Sequence, residues 1–169
     1  MPIITPTVFP FSALYVGDAT SSAVLTSIPE LRTEGALISE NTPSDFIQTL
    51  KNRAQSGNHE VTLVLNFYSD QINTVNLSRG ASIANTSPNV VPGQNQYSVL
   101  LVAPATYPNS NFYFPAISTI HERKVNYNKD KATITQITFS IEDRDVNTIL
   151  YYQDSLANLQ SIVASKWPL

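Results

Sequence analysis

Two runs rich in Thr, Ile, Val, Phe and Tyr, within Ile117–Tyr127 and Ala132–Ile141, flank four polar residues, Asn128, Lys129, Asp130 and Lys131. β-branched and aromatic side chains fit a pleated, half-buried surface, and a short polar break between two such runs closes a hairpin. Alternation then sorts the side chains. Val125 and Tyr127 share one face of the first strand, and Ile137, Phe139 and Ile141 share one face of the second. Ile134 is out of phase with Ile137, which predicts a bulge or face switch near Thr135–Gln136. The opposite face carries Glu122, Lys124, Asn126, Thr138, Ser140 and Glu142, a polar row with both signs of charge. A sheet of this kind stays wet on one side or meets another polar surface.

The rest of the chain reads as one domain over residues 1–169, mainly β. Hydrophobic residues make up 42%, enough for a core, but charged residues only 14%, so Asn, Ser, Thr and Gln fill the surface and permit close packing with other chains. A net charge of −3 and a pI near 5.2 oppose a general nucleic-acid binder, which carries a basic stripe. Without cysteine there is no disulfide or thiolate metal site. No segment has the ~20 apolar residues of a membrane span, and the start lacks the basic region of a signal peptide. Folding in the cytoplasm is expected. Met1–Phe11 carries Pro2, Pro6 and Pro10, which excludes a helix. It reads as an extended arm, either an edge strand or tail, or an arm on a neighbouring subunit.

Ser12–Val16 and Ala23–Ile28 suit short strands joined by a turn. Asn41–Gly57 has helix signals: Thr42 as cap, Pro43 at the first position, Asp45 in capping-box spacing, the stripe Phe46, Ile47, Leu50, Ala54, and Gly57 at the end. Glu60–Tyr68 alternates strictly and predicts a strand. A short helix over Ser69–Ser78, with Ser69 as cap, would turn Ile72, Val75 and Asn76 inward. Arg79–Gln96 is loop-like, and Tyr97–Ala103 is apolar enough for a central strand. Asn147–Tyr152 continues a strand or begins a helix. Ser155–Ala164 predicts a C-terminal helix with Asp154 or Ser155 as cap and Leu156, Leu159, Ile162 and Val163 at helical spacing.

No reaction is named by these residues. His59 and His121 each adjoin a glutamate, but strand neighbours point to opposite faces and do not chelate together. Glu142, Asp143 and Asp145, with Arg144 among them, read as a charged edge or intersubunit ion pair rather than a glycosidase pair. Gly-x-Ser-x-Gly and glycine-rich phosphate loops are missing. Tyr97, Tyr107, Phe112, Tyr113, Phe114 and Tyr127 could line a sugar or base platform, but core and interface packing explains them more simply. The expectation is a protein without catalytic residues, cofactor or metal.

From Tyr97 to Asp145 the segments QYSVLLVAPAT, NFYFPAIST and KVNYNKDKATITQITFSIEDRD resemble the C-terminal half of bacteriophage tail tube proteins and related tube-fold tail components. In that family a strand precedes an aromatic step, then a hairpin with a Lys-plus-acidic turn. A helix between early strands, here Pro43–Ser56, is also similar. The long Arg79–Gln96 loop and the helical C-terminus depart from that pattern. The resemblance implies a β-sandwich or half-barrel with a flanking helix, to which the residues themselves add a C-terminal helix. It further implies hexameric rings stacked into a tube in the virion tail, assembled in the host cytoplasm. Phage DNA would pass without specific binding, and sheath, baseplate or terminator proteins would be partners. Glu122, Lys124, Asn126, Lys129, Asp130, Lys131, Thr138, Ser140 and Glu142 would then line the channel or serve assembly. The arm and the long loop would join rings. The competing readings are another self-assembling virion component (baseplate or hub ring, tail terminator, capsid cement protein) and a monomeric β-sandwich ligand-binding module.

Overall fold

The alternating segments pair into two main sheets. The computed structural model describes residues 11–41, 46–48, 53–55, 60–68, 71–84, 86, 95–117, 120–128, 131–142 and 149–169. Along the chain come β1 (Ala13–Asp18), β2 (Thr26–Ser27), β3 (Leu31–Asn41), β4 (Phe46–Gln48), β5 (Arg53–Gln55), β6 (Glu60–Tyr68) and helix α1 (Ile72–Arg79). They are followed by β7 (Tyr97–Val102), β8 (Asn111–Ile117), β9 (Ile120–Asn128), β10 (Lys131–Glu142), β11 (Tyr152–Asp154), helix α2 (Leu156–Val163) and a 3₁₀ turn, Ala164–Lys166. One sheet has five strands in the order β11-β8-β7-β1-β2 and the other four, β3-β6-β10-β9, all antiparallel. The chain is thus mainly β, with one flanking and one C-terminal helix.

The core lies between the sheets. Val61, Leu63, Leu65 and Phe67 of β6, with Ile137 and Phe139 of β10, meet Leu14 and Val16 of β1, Tyr97, Val99 and Leu101 of β7, and Phe114 of β8. Period-2 alternation in β6 therefore sends its odd-numbered residues inward, as its sequence predicts. Strand β7 is buried at every position, because its other face, with Leu100 and Val102, is covered by Leu159 and Val163 of α2. That makes it the central strand expected of a nearly continuous apolar run. Ser155 is the cap of α2, its hydroxyl accepting from the Asn158 N–H at 3.3 Å. Burial of Leu159 and Val163, at roughly 1.5–3 kcal/mol each, outweighs a cap worth about 1 kcal/mol. Ile162, expected inward, is exposed.

Three expectations are corrected. A helix over Asn41–Gly57 is not formed. Phe46–Gln48 and Arg53–Gln55 instead pair antiparallel, Phe46 with Gln55 and Ile47 with Ala54. Caps and an apolar stripe are local preferences of tenths to about 1 kcal/mol, which tertiary context overrides. The flanking helix is α1, where the buried anchor is Leu77 while Ile72 lies exposed. The Schellman-type end at Gly80, φ 69°, closes it. No bulge occurs at Thr135–Gln136: pairing of β10 with β6 runs unbroken from Ile134 to Glu142. Irregularities fall instead between Lys131 and Ile134 and at Thr138/Phe139, on the β9 side. Thr135 takes the inward position in phase with Ile137. The segment after residue 148 becomes a strand only at Tyr152, paired with Tyr113.

Asp18 ties the loop-like stretch to the sandwich. Its carboxylate accepts from Ser82 Oγ at 2.5 Å, the Ile83 N–H at 3.1 Å and Asn95 Nδ2 at 2.7 Å. Tyr97 donates its hydroxyl to the Ala81 carbonyl at 2.6 Å, and burial raises its pKa far above the ordinary phenol value. From the C-terminus, Lys166 Nζ donates to the Asp18 carbonyl at 3.0 Å and to Ser98 Oγ at 3.1 Å, and burial lowers its pKa. The arm, residues 1–10, and residues 87–94 of the loop lie outside the described residues.

Candidate functional site

Register places the polar residues of the hairpin on one surface. In an antiparallel ladder, directly opposed residues share a face. One row across the outer face of the four-stranded sheet runs Leu37, Val64, Thr138, Glu122. The next is Asn66, Gln136, Lys124, followed by Tyr68, Ile134, Asn126. Toward the other end lie Ser39, Thr62, Ser140 and then Asn41, Glu60, Glu142. The structure thus brings Glu122, Lys124, Asn126 and Thr138 together on the outer face, and Ser140 and Glu142 follow Thr138 along β10 opposite Thr62 and Glu60. Lys131 pairs with Asn128 at the hairpin end, and Lys129 and Asp130 lie outside the described residues.

The face is open to water. Glu122, Lys124 and Asn126 are exposed, and Gln136 Nε2 donates to Asn66 Oδ1 at 3.0 Å across the strands. Lys124 Nζ lies 3.4 Å from Glu122 Oε1, with the two side chains 60% and 51% exposed. An ion pair so solvated adds little stability. Two apolar groups join this surface: Tyr68, 40% exposed, as the alternation of β6 predicts, and Leu37, 59% exposed, unanticipated from sequence. The signal for Leu37 was there in the alternation Ala36, Leu37, Ile38, Ser39, obscured by Gly35.

The inner face of the edge strand is also partly uncovered. Arg123 stands level with the buried Ile137 yet is exposed, and Val125, level with buried Thr135, is half-buried. Strand β9 therefore reaches past the cover of the second sheet.

The edges of the two sheets differ. The five-stranded sheet ends in β2, two residues, and β11, three residues. Such short edges are poor templates for another chain. The four-stranded sheet ends in β3, eleven residues, and β9, nine residues, and among the described residues neither has a strand on its outer side. Long edges of this kind invite pairing, and both carry features that blunt it. On β9 these are Glu122, Arg123 and Lys124. On β3 it is the irregularity between Leu31 and Ala36, where Gly35 packs against β6.

The other chemical candidates resolve into packing. Tyr97, Tyr113 and Phe114 are buried, with Tyr97 edge-on to Phe139 at 6.0 Å and Tyr113 stacked on Tyr152 at 6.3 Å. Phe112 packs on Tyr151, whose hydroxyl donates to Glu40 Oε2 at 2.9 Å. Among the described residues no group of three His, Cys, Asp or Glu side chains is placed to hold a metal, and no helix is long and apolar enough to cross a membrane. The side chain of His121, as well as His59 and residues 143–148, lie outside what is described. Comparison with models of known protein families and with curated proteins finds no match.

Proposed function

We propose that this chain is a structural, non-enzymatic virion protein of the phage tail tube type. Copies join edge to edge in a hexameric ring, and rings stack into the tube through which DNA leaves the capsid. The observation that carries this reading is the four-stranded sheet with two long edges, unpaired among the described residues, and a polar outer face.

Topology makes edge joining self-consistent. In the order β3-β6-β10-β9 every neighbour is antiparallel, so β3 and β9 run in opposite directions. Rotating a copy about an axis roughly along the strands keeps their directions. The neighbour's β3 therefore meets β9 antiparallel, and the ladder continues around a ring without a parallel join. An odd strand number would not allow this. Closure also removes the edges. A hexamer of this four-stranded sheet has about 24 strands, which at ~4.8 Å spacing and ~40° tilt gives a wall roughly 50 Å across. That leaves room for a DNA duplex once side chains are subtracted. Turned inward, the outer face lines the bore with Glu122, Lys124, Asn126, Gln136 and Thr138, mixed in sign. A lining without a basic stripe suits passage, since binding that neutralises phosphates holds DNA tightly. Sheath, baseplate or terminator proteins would contact the outside and the ends, in the virion tail after assembly in the host cytoplasm.

Size-exclusion chromatography and negative-stain microscopy of concentrated protein test the reading. Rings or rods are expected. A chain that stays monomeric at high concentration overturns it.

A further inference from the structure

We propose that residues 155–169 form a strap with Lys166 as its catch, and that Asp18 couples this catch to the residues flanking 84–94, so that loosening one loosens the other. The proposal stands whether or not copies assemble.

Asp18, the last residue of β1, is held from both faces of the five-stranded sheet. It lies opposite Tyr97, so its side chain takes the inner face. Ser98, next along β7 and in phase with Leu100 and Val102, takes the outer one. On the inner side one carboxylate gathers residues from both flanks of 84–94: Ser82 Oγ on Oδ2, and the Ile83 N–H with Asn95 Nδ2 on Oδ1. The Ala19 N–H adds a bond to the Gln96 carbonyl at 2.9 Å. On the outer side Lys166 Nζ donates to the main-chain carbonyl of the same Asp18 and to Ser98 Oγ. Ser98 gives its own proton to the Pro115 carbonyl at 2.7 Å, so its oxygen is set to accept from Lys166. The Leu25 N–H donates to the Lys166 carbonyl at 3.0 Å and completes the catch. One residue thus carries both sets of bonds, which come from segments far apart in sequence.

The catch closes against two costs. In the turn that returns Lys166 to the sheet, Ala164 holds φ at 56° and ψ at −125°, a backbone conformation that persists only where surrounding contacts impose it. The Lys166 amine is half-buried, and among the described residues no carboxylate lies within ion-pair distance of it. Burial lowers its pKa, and the charge of the Asp18 carboxylate works the other way. Closure is driven instead by Leu159, Val163 and Trp167, packed over Leu25, Leu100, Val102 and Tyr113. Asp18 acts on the catch twice. Its carbonyl is an acceptor whose position the inner-face bonds fix, and its charge favours the charged amine.

Amide hydrogen exchange of the full chain tests the coupling, with the amides of β7 as the reference for global opening. Lys166→Met removes the catch on the outer face. The Ile83 amide, on the inner face, is expected to exchange faster relative to β7 by about fivefold or more, the low end of coupling between sites. Asp18→Asn keeps the main-chain carbonyl that Lys166 uses and alters only the side chain. The Leu25 amide is then expected to accelerate by a similar factor, because coupling is reciprocal. The proposal is overturned if Ile83 is unchanged in Lys166→Met, if Leu25 is unchanged in Asp18→Asn, or if β7 accelerates as much as either. Should Asp18→Asn fail to fold, Ser82→Ala removes one donor to the carboxylate and gives the same reading at Leu25. Both accelerations in a chain that stays monomeric uphold the coupling while overturning the assembly reading.

Discussion

Replacing Gly35 by alanine puts a methyl group where β6 already stands. A Cβ built there lies 2.5 Å from the Asn66 carbonyl oxygen, 2.7 Å from the Arg32 carbonyl oxygen and 3.0 Å from the Arg32 nitrogen. All three are backbone atoms, so no side chain can swing away. Ordinary contact begins near 3.4 Å, so the strands must part by roughly 0.9 Å, which stretches the ladder between β3 and β6. Overpacking of this kind costs about 1–3 kcal/mol, and the backbone contacts favour the upper end. The reduced freedom of alanine in the unfolded chain returns ~0.4–1 kcal/mol. The net loss is about 2 kcal/mol, a melting temperature lower by roughly 4–8 °C in a chain of this size. Gly17 is the internal control: a Cβ there meets Leu25 Cδ2 at 2.7 Å, the far end of a flexible side chain. Gly17→Ala should therefore cost less, under about 1 kcal/mol. Circular dichroism melts of both variants check this. A Gly35→Ala protein as stable as wild type, or less affected than Gly17→Ala, refutes the reasoning.

Thr135 is buried in line with Ile137 and Phe139, and its hydroxyl has no hydrogen-bond partner among the described residues. Thr135→Val should stabilise by about 1 kcal/mol in urea denaturation, because an unpaired buried hydroxyl costs ~1–3 kcal/mol. Phe139→Ala removes a fully buried ring packed edge-on to Tyr97 and should cost about 3–5 kcal/mol by the same measurement. Ala164 holds φ at 56° with ψ at −125°, a conformation glycine adopts more easily, so Ala164→Gly should raise stability by up to about 1 kcal/mol. The hydrogen bond from Asn158 Nδ2 and the one from the Ser155 N–H lower the pKa of Asp154. A depressed carboxylate contributes stability that is fully present above the unfolded value, ~3.9, and is lost as pH falls through the folded one. The melting temperatures of wild type and Asp154→Ala should therefore converge below that pH.

Period-2 alternation made β6 and the β9–β10 hairpin legible, down to which residues of β6 point inward, and a continuous apolar run made β7 legible, because both patterns are properties of each strand alone. Helix α2 was legible for the same reason, being local, with its cap narrowed to Asp154 or Ser155, of which the structure uses Ser155. The helical signals of Asn41–Gly57 were equally local, and there Phe46–Gln48 and Arg53–Gln55 pair as strands instead. The residues promoting either state are the same, and long-range packing selects between them. Strand pairing also decided that Thr135 turns inward, and tertiary packing that Asp18 gathers Ser82, Ile83 and Asn95 from far along the chain. Above all, only the order β3-β6-β10-β9 reveals which strands end a sheet. An edge is the absence of a neighbour in space, and no run of residues along one strand encodes it; it follows from how every other strand is spent.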